Sequence, residues 1–168
     1  IKDFGGVKAC VSACPLYLFG PEKDFDIMEK IYLNKDFLNP KLVVDKAIEL
    51  ISTQKDLFLL CHFMQPHSPQ DMDYFEKVKL IDREINPLLE KLKELNYEII
   101  IVADHGELLG EYGLNGHPVG LEYEELLHIP LIWYKPYQEP RIIQEKFYFY
   151  EILPEVIKTI EKNKKKEL

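Results

Sequence analysis

Tyr97-Glu98-Ile99-Ile100-Ile101-Val102-Ala103-Asp104-His105-Gly106-Glu107 changes character once along its length. Ile99 to Ala103 is an unbroken apolar run rich in β-branched residues, which predicts a strand buried on both faces, as in a parallel sheet. Asp104-His105-Gly106 ends it. In open α/β sheets ligands bind beyond the carboxyl ends of the strands. An acid and an imidazole at that edge are placed to coordinate a metal ion. The plainer reading of the same residues is that Asp104 caps a turn and His105 lies on the surface. Asp-His-Gly alone does not separate the two.

The segments on either side supply the rest of an α/β pattern. Val7 to Ala13 is short and apolar and predicts a strand, ended by Cys14-Pro15 because proline cannot donate to a ladder. Leu16 to Asp26 reads as a loop with a Gly20-Pro21 turn, and Asp26 to Tyr32 as a short helix. Asn39-Pro40 opens a clearer helix, with Leu42, Val43, Ala47, Ile48 and Ile51 at helical spacing. Leu57 to Cys61 is a second buried-strand run, followed by a loop that carries His62 and His67. Tyr74 to Leu95 predicts a long amphipathic helix striped by Val78, Ile81, Ile85, Leu88, Leu89 and Leu92, with Pro87 as a point for a kink. Beyond His117, Leu121 to Leu127 reads as a short helix or turn. Ile129 to Tyr134 reads as a strand that Pro130 favours at an edge. Phe147 to Ile160 reads as a last helix, with Pro154 near its first turns. Strands alternating with helices indicate an α/β fold with a mostly parallel central sheet flanked by helices.

The chain has 168 residues, 46% of them hydrophobic, enough for one packed domain. Its net charge of −8 argues against nonspecific nucleic-acid binding. An anionic substrate then needs local positive charge from a metal or a few bases. Lys162 to Lys166 forms a basic, solvated tail. Cys10, Cys14 and Cys61 are odd in number and match no zinc spacing. Their apolar surroundings predict buried thiols outside any disulfide, which fits a reducing, cytoplasmic compartment. No apolar run approaches about 18 residues, so no membrane span is expected, and no signal peptide is read. The chain begins at Ile1 and runs straight into Lys2-Asp3-Phe4-Gly5-Gly6-Val7, so an N-terminal portion of the domain is expected to be missing.

Three histidines, His67, His105 and His117, follow strand-like runs, and loops at one sheet edge converge. His62 is still in strand register and reads as structural, as does His128. Asp104 and His105 offer an oxygen and a nitrogen to a divalent cation, a set that suits zinc, manganese or iron better than magnesium or calcium. Two ligands fall short of the three or four a tight site needs. His67 and His117 fit either of two uses. They are ligands of a second metal, or they donate to a charged oxyanion and protonate a leaving group.

Taken in order, several motifs resemble the sulfatase branch of the alkaline phosphatase superfamily. They are His62-Phe63-Met64-Gln65-Pro66-His67-Ser68-Pro69, Leu80-Ile81-Asp82-Arg83-Glu84-Ile85, Ile100-Ile101-Val102-Ala103-Asp104-His105-Gly106-Glu107, Gly110-Glu111-Tyr112-Gly113, Gly116-His117 and Tyr123-Glu124-Glu125-Leu126-Leu127-His128-Ile129-Pro130-Leu131-Ile132. Phe149-Tyr150-Glu151-Ile152-Leu153-Pro154 is similar to the family's late helix start, where Asp-x-x-Pro is usual. The resemblance spans Leu57 to Ile160. It implies an alkaline phosphatase-like fold, truncated at its N-terminus, over residues 1–162, with 163–168 as tail.

The resemblance also implies roles. Asp104 and His105 match the late pair of metal ligands. His67 and His117 match groups that contact the sulfate or phosphate and the leaving-group oxygen. Many sulfatases carry Asn at the position of His105 and use calcium. His105 leans toward the phosphonate- and phosphodiester-cleaving or phosphoglycerol-transferring relatives, with manganese or zinc. The family's nucleophile (Ser, Thr, or a Cys matured within Cys-x-Pro-x-Arg) and its early acidic ligands have no match, since Cys14-Pro15-Leu16 departs from the maturation pattern.

Two functions follow. One is a metal-dependent hydrolase of small anionic phosphate or sulfate esters, working by in-line displacement through a covalent intermediate, with the nucleophile absent from this chain. The other is a non-catalytic remnant or split subunit, an anion- or metal-binding or interaction module. A missing N-terminal half or self-association through an open sheet edge are the expected protein partners; no nucleic acid or membrane is expected.

Overall fold

A computed structural model describes residues 4–14, 22–67 and 73–164. They fall into two compact units, Ile1–Leu95 and Asn96–Leu168. The chain is mixed α/β, with a parallel three-stranded sheet, two short antiparallel pairs and four α-helices. No described helix is long and apolar enough to cross a membrane.

The first unit is built on β1 (Val7–Ser12), which lies between β2 (Ile27–Lys30) and β3 (Leu57–His62), all parallel. Ala9, Cys10, Val11 and Ser12 are wholly buried. Small and β-branched residues at consecutive positions are what a strand covered on both faces requires. α1 (Pro40–Thr53) starts where Asn39 Oδ1 accepts from the Lys41 N–H at 3.0 Å, with Pro40 in the first turn. Its buried stripe of Val43, Val44, Ala47, Leu50 and Ile51 packs on β1 and β3 and against α2 (Tyr74–Glu94). Each of its valine, leucine and isoleucine side chains taken fully from water contributes about 1.5–3 kcal/mol before entropy is set against it. Asp73 caps α2 through the Phe75 and Glu76 N–H groups, and Pro87 lies within the helix. Of the predicted stripe, Leu88 is buried, Ile81, Ile85, Leu89 and Leu92 are half-buried, and Val78 is exposed.

Two expectations change here. Ile27–Lys30 is a strand followed by a 3₁₀ turn at Ile31–Leu33, where the sequence suggests one short helix over Asp26 to Tyr32. Ile27, Met28, Glu29 and Lys30 pair in register with Ala9, Cys10, Val11 and Ser12. Four residues are too few to nucleate a helix against a ladder already waiting for them. β3 pairs with β1 alone among the described strands, so Leu57 is buried while Leu60 is 40% exposed. Phe58, Leu59 and Cys61 are half-buried, so the Leu57 to Cys61 run is only partly covered where burial on both faces was expected.

The β1–β2 ladder is locked at its start by a reciprocal contact. Asp26 N–H donates to the Lys8 carbonyl at 2.8 Å, and Lys8 N–H donates to Asp26 Oδ2 at 2.8 Å, with Lys8 Nζ 3.2 Å away. The backbone N–H, then the ammonium, hold the Asp26 carboxyl below its usual range. A depressed folded pKa gives stability that is present above the unfolded value of about 3.9 and is lost as pH falls through the folded one. Asp26→Asn is thus expected to melt lower than the native protein at neutral pH, the gap closing below about pH 4. Parallel thermal melts across pH check this; a gap that persists in acid contradicts it.

In the second unit β4 (Ile99–Val102) pairs antiparallel with β7 (Leu131–Tyr134). The expectation for this run was burial on both faces in parallel pairing. Instead Ile99, Ile100 and Ile101 are half-buried, Val102 is 37% exposed and Ile132 59%. A two-stranded pair leaves an outer edge on each strand, so apolar content alone does not seal it. Trp133 Nε1 donates to Glu98, and Lys135 stands 4.3 Å over the Trp133 ring, fastening the pair at one end. β7 begins directly after Pro130, the strand-start position that residue favours. β5 (Leu108–Leu109) and β6 (Asn115–Gly116) form a small hairpin, and α3 (Glu124–Leu127) and α4 (Phe149–Lys164) complete the unit. At the start of α4, Glu151 reaches back to accept from the Tyr148 N–H at 2.6 Å, one half of a capping box. α4 thus runs into the basic tail as far as Lys164, and residues 165–168 lie outside the described part, as do Pro15, Gly20 and Pro21.

None of the three cysteines forms a disulfide. Cys10 is buried; Cys14 and Cys61 are half-buried. Burial, with the neighbouring Cys10 thiol adding to it, pushes the Cys61 thiol up to about 12. A thiol so held is protonated and inert.

Candidate metal and ester site

One residue, Ala103, separates the end of β4 from Asp104 and His105. Asp104 is exposed, and its Oδ1 accepts from the His105 N–H at 3.1 Å. The His105 ring is fixed from the other side, since Nδ1 donates to the Gly106 carbonyl at 2.9 Å. A carbonyl only accepts, so the proton of the neutral ring sits on Nδ1 and the lone pair on Nε2. Metal-bound histidines are oriented by this same device. Nε2 lies 3.8 Å from Asp104 Oδ1. Two ligands with bonds of about 2.0–2.2 Å to a common ion stand no more than about 4.4 Å apart. The spacing of the pair lies within that limit.

Gly106 ties this turn to α3. Its N–H donates to the Leu126 carbonyl at 2.9 Å. A Cβ at Gly106 would stand 1.9 Å from the Glu125 carbonyl oxygen, so the approach admits only glycine.

The hairpin then returns the chain. Leu108 pairs with Gly116 and Leu109 with Asn115, so Glu107 and His117 face each other across its open end. Leu108 is 1% exposed and anchors it. The return uses positive φ at Gly110, Tyr112 and Gly113. His117 Nδ1 donates to Glu107 Oε1 at 3.0 Å, and the His117 and His105 rings tilt together with centroids 4.1 Å apart.

Three of the four predicted site residues, Asp104, His105 and His117, are thus gathered within the second unit. The fourth, His67, belongs to the first unit. It closes the 3₁₀ turn Gln65–His67 past the carboxyl end of β3, is exposed, and its N–H donates to the Met64 carbonyl at 3.1 Å. His62 ends β3 opposite Ser12, with Nδ1 3.4 Å from the Ser12 hydroxyl, a structural position. His128 caps the end of α3 in solvent. Glu107 was not among the residues singled out from the sequence. Its partner is ten positions away, and only the hairpin register brings them together.

The end of β4 thus carries an acid and an oriented imidazole beside a second imidazole held by a carboxylate, on an α/β chain. The chain belongs to the sulfatase family, whose profile matches residues 16–160. At the level of that family it is a sulfatase-like hydrolase of the alkaline phosphatase superfamily; such proteins use a divalent metal and act on sulfate esters. No curated protein matches the chain.

Proposed function

We propose that the protein cleaves small sulfate or phosphate esters, with Asp104 and His105 holding a divalent metal and His117 acting on the ester. The observation that carries this reading is the 3.8 Å spacing of Asp104 Oδ1 and His105 Nε2 with the ring locked by the Gly106 carbonyl. A bound zinc or manganese would neutralise the nonbridging oxygens and activate a nucleophile. Asp104 contributes negative charge that offsets the cation, and His105 an oriented lone pair. His117 acts at the leaving-group oxygen through Nε2, which first takes up a proton and then hands it to the departing oxygen. The pattern Cys-x-Pro-x-Arg does not occur in these 168 residues, and this reading assigns the nucleophile to none of the residues named here.

The test is hydrolysis of aryl sulfate, aryl phosphate and aryl phosphodiester by the intact protein, with zinc or manganese supplied or chelated. Metal-dependent turnover of one ester class is expected, and His117→Gln is expected to lower kcat by about 10²-fold or more. Metal retention with no turnover on any ester would favour a binding module instead.

A further inference from the structure

We infer that Glu107 is a positioning residue for His117: it fixes the imidazole in the tautomer with the proton on Nδ1, so that Nε2 is the nitrogen that acts on the ester. The inference rests on the proposed role of His117. A carboxylate only accepts hydrogen bonds, so the 3.0 Å contact from His117 Nδ1 to Glu107 Oε1 requires N–H at Nδ1. In the neutral ring the lone pair is then on Nε2.

The fold supports this contact from three directions. Leu108, one residue after Glu107, is 1% exposed and pins the first strand of the hairpin. Gly116, one residue before His117, has φ +81°, a backbone conformation that favours glycine and sets the chain's direction into His117. The register Leu108 to Gly116 sets the two functional residues opposite each other. The Glu107 side chain is only 15% exposed, against 72% for Asp104. A carboxylate partly withdrawn from water forms a stronger charge-assisted bond than one in solvent. Asp104 remains exposed for a metal, while Glu107 is turned inward onto an imidazole. The same division, one carboxylate to orient an imidazole and a separate group to react, underlies nucleophile–base–orienter constellations generally.

Glu107→Gln separates orientation from shape. The amide has the same size as the carboxylate, but it donates as well as accepts, so it no longer dictates the tautomer. Histidine-labelled protein, studied by two-bond proton–nitrogen NMR well above the ordinary imidazole pKa of about 6.5, reports the ring state, and His117→Gln assigns the signal. The native protein is expected to show His117 protonated on Nδ1 with an unprotonated Nε2, and Glu107→Gln is expected to bring in the Nε2-protonated form. Native His117 carrying its proton on Nε2, or an unchanged tautomer in a folded Glu107→Gln, overturns the inference. The native spectrum alone decides it should the variant fail to fold. In the intact enzyme Glu107→Gln is expected to lower kcat by about 10²-fold with KM little changed. If His117→Gln leaves turnover intact while the tautomer result holds, the ester role of His117 fails and the positioning by Glu107 stands.

Discussion

Replacing Gly106 by alanine is expected to destabilise the protein by about 3 kcal/mol. The added methyl carbon would lie 1.9 Å from the Glu125 carbonyl oxygen, 3.0 Å from the Glu125 carbonyl carbon and 3.3 Å from the Leu126 Cα. All three are backbone atoms, and no side-chain rotation relieves the overlap. Forced repacking of this kind costs about 1–3 kcal/mol. Parting the segments also breaks the hydrogen bond from Gly106 N–H to the Leu126 carbonyl, which contributes about 1 kcal/mol. For a chain of this size about 3 kcal/mol corresponds to a melting point lower by roughly 6–12 °C. The turn that moves carries Asp104 and His105 on one side and Glu107 on the other, so the Asp104–His105 pair and the Glu107–His117 contact loosen together. Calorimetry checks the stability, and native-like melting would contradict the described approach of the turn to α3.

Replacing His105 by alanine is expected to lower ester hydrolysis by the intact protein by at least about 100-fold. Loss of outer-shell partners alone typically costs about 10–100-fold, and His105 is proposed as a direct ligand. The fold itself should survive, since the ring is half-buried and its hydrogen bond to the adjacent Gly106 carbonyl is worth about 1 kcal/mol. His105→Asn gives a sharper outcome. It replaces a nitrogen donor by an amide oxygen, so metal preference should move from zinc or manganese toward calcium. Steady-state assays with each metal read this out. Undiminished turnover in His105→Ala would remove the metal role from this residue.

Much of this arrangement is legible before any coordinates, and the reason differs from element to element. α1 announces itself through Asn39-Pro40 and a stripe at helical spacing, both local signals that the structure uses as written. β1, β3, β4 and β7 each carry enough apolar or β-branched character to be found alone. β2 is hidden because Ile27-Met28-Glu29-Lys30 has no pattern of its own, and pairing with Ala9 to Ser12 overrides the local preference. The direction and cover of β4 are hidden for a related reason. Five apolar residues in a row state that burial is wanted, not which strand supplies it, and the partner is the antiparallel β7.

The site divides in the same way. Asp104 and His105 are readable because they terminate a strand, and position relative to the sheet gives them meaning. His117 is readable only as a histidine in a glycine-rich loop. Its carboxylate partner depends on three residues in positive φ between two-residue strands. No spacing rule along the chain expresses that geometry.

Titration of zinc and manganese into the native protein, Asp104→Ala and His105→Ala, followed calorimetrically, tests the metal assignment at its root. The native protein is expected to bind a single ion, and each variant to bind it at least about tenfold more weakly. Equal affinity in all three proteins would show that the ion, wherever it sits, is not held by the residues at the end of β4.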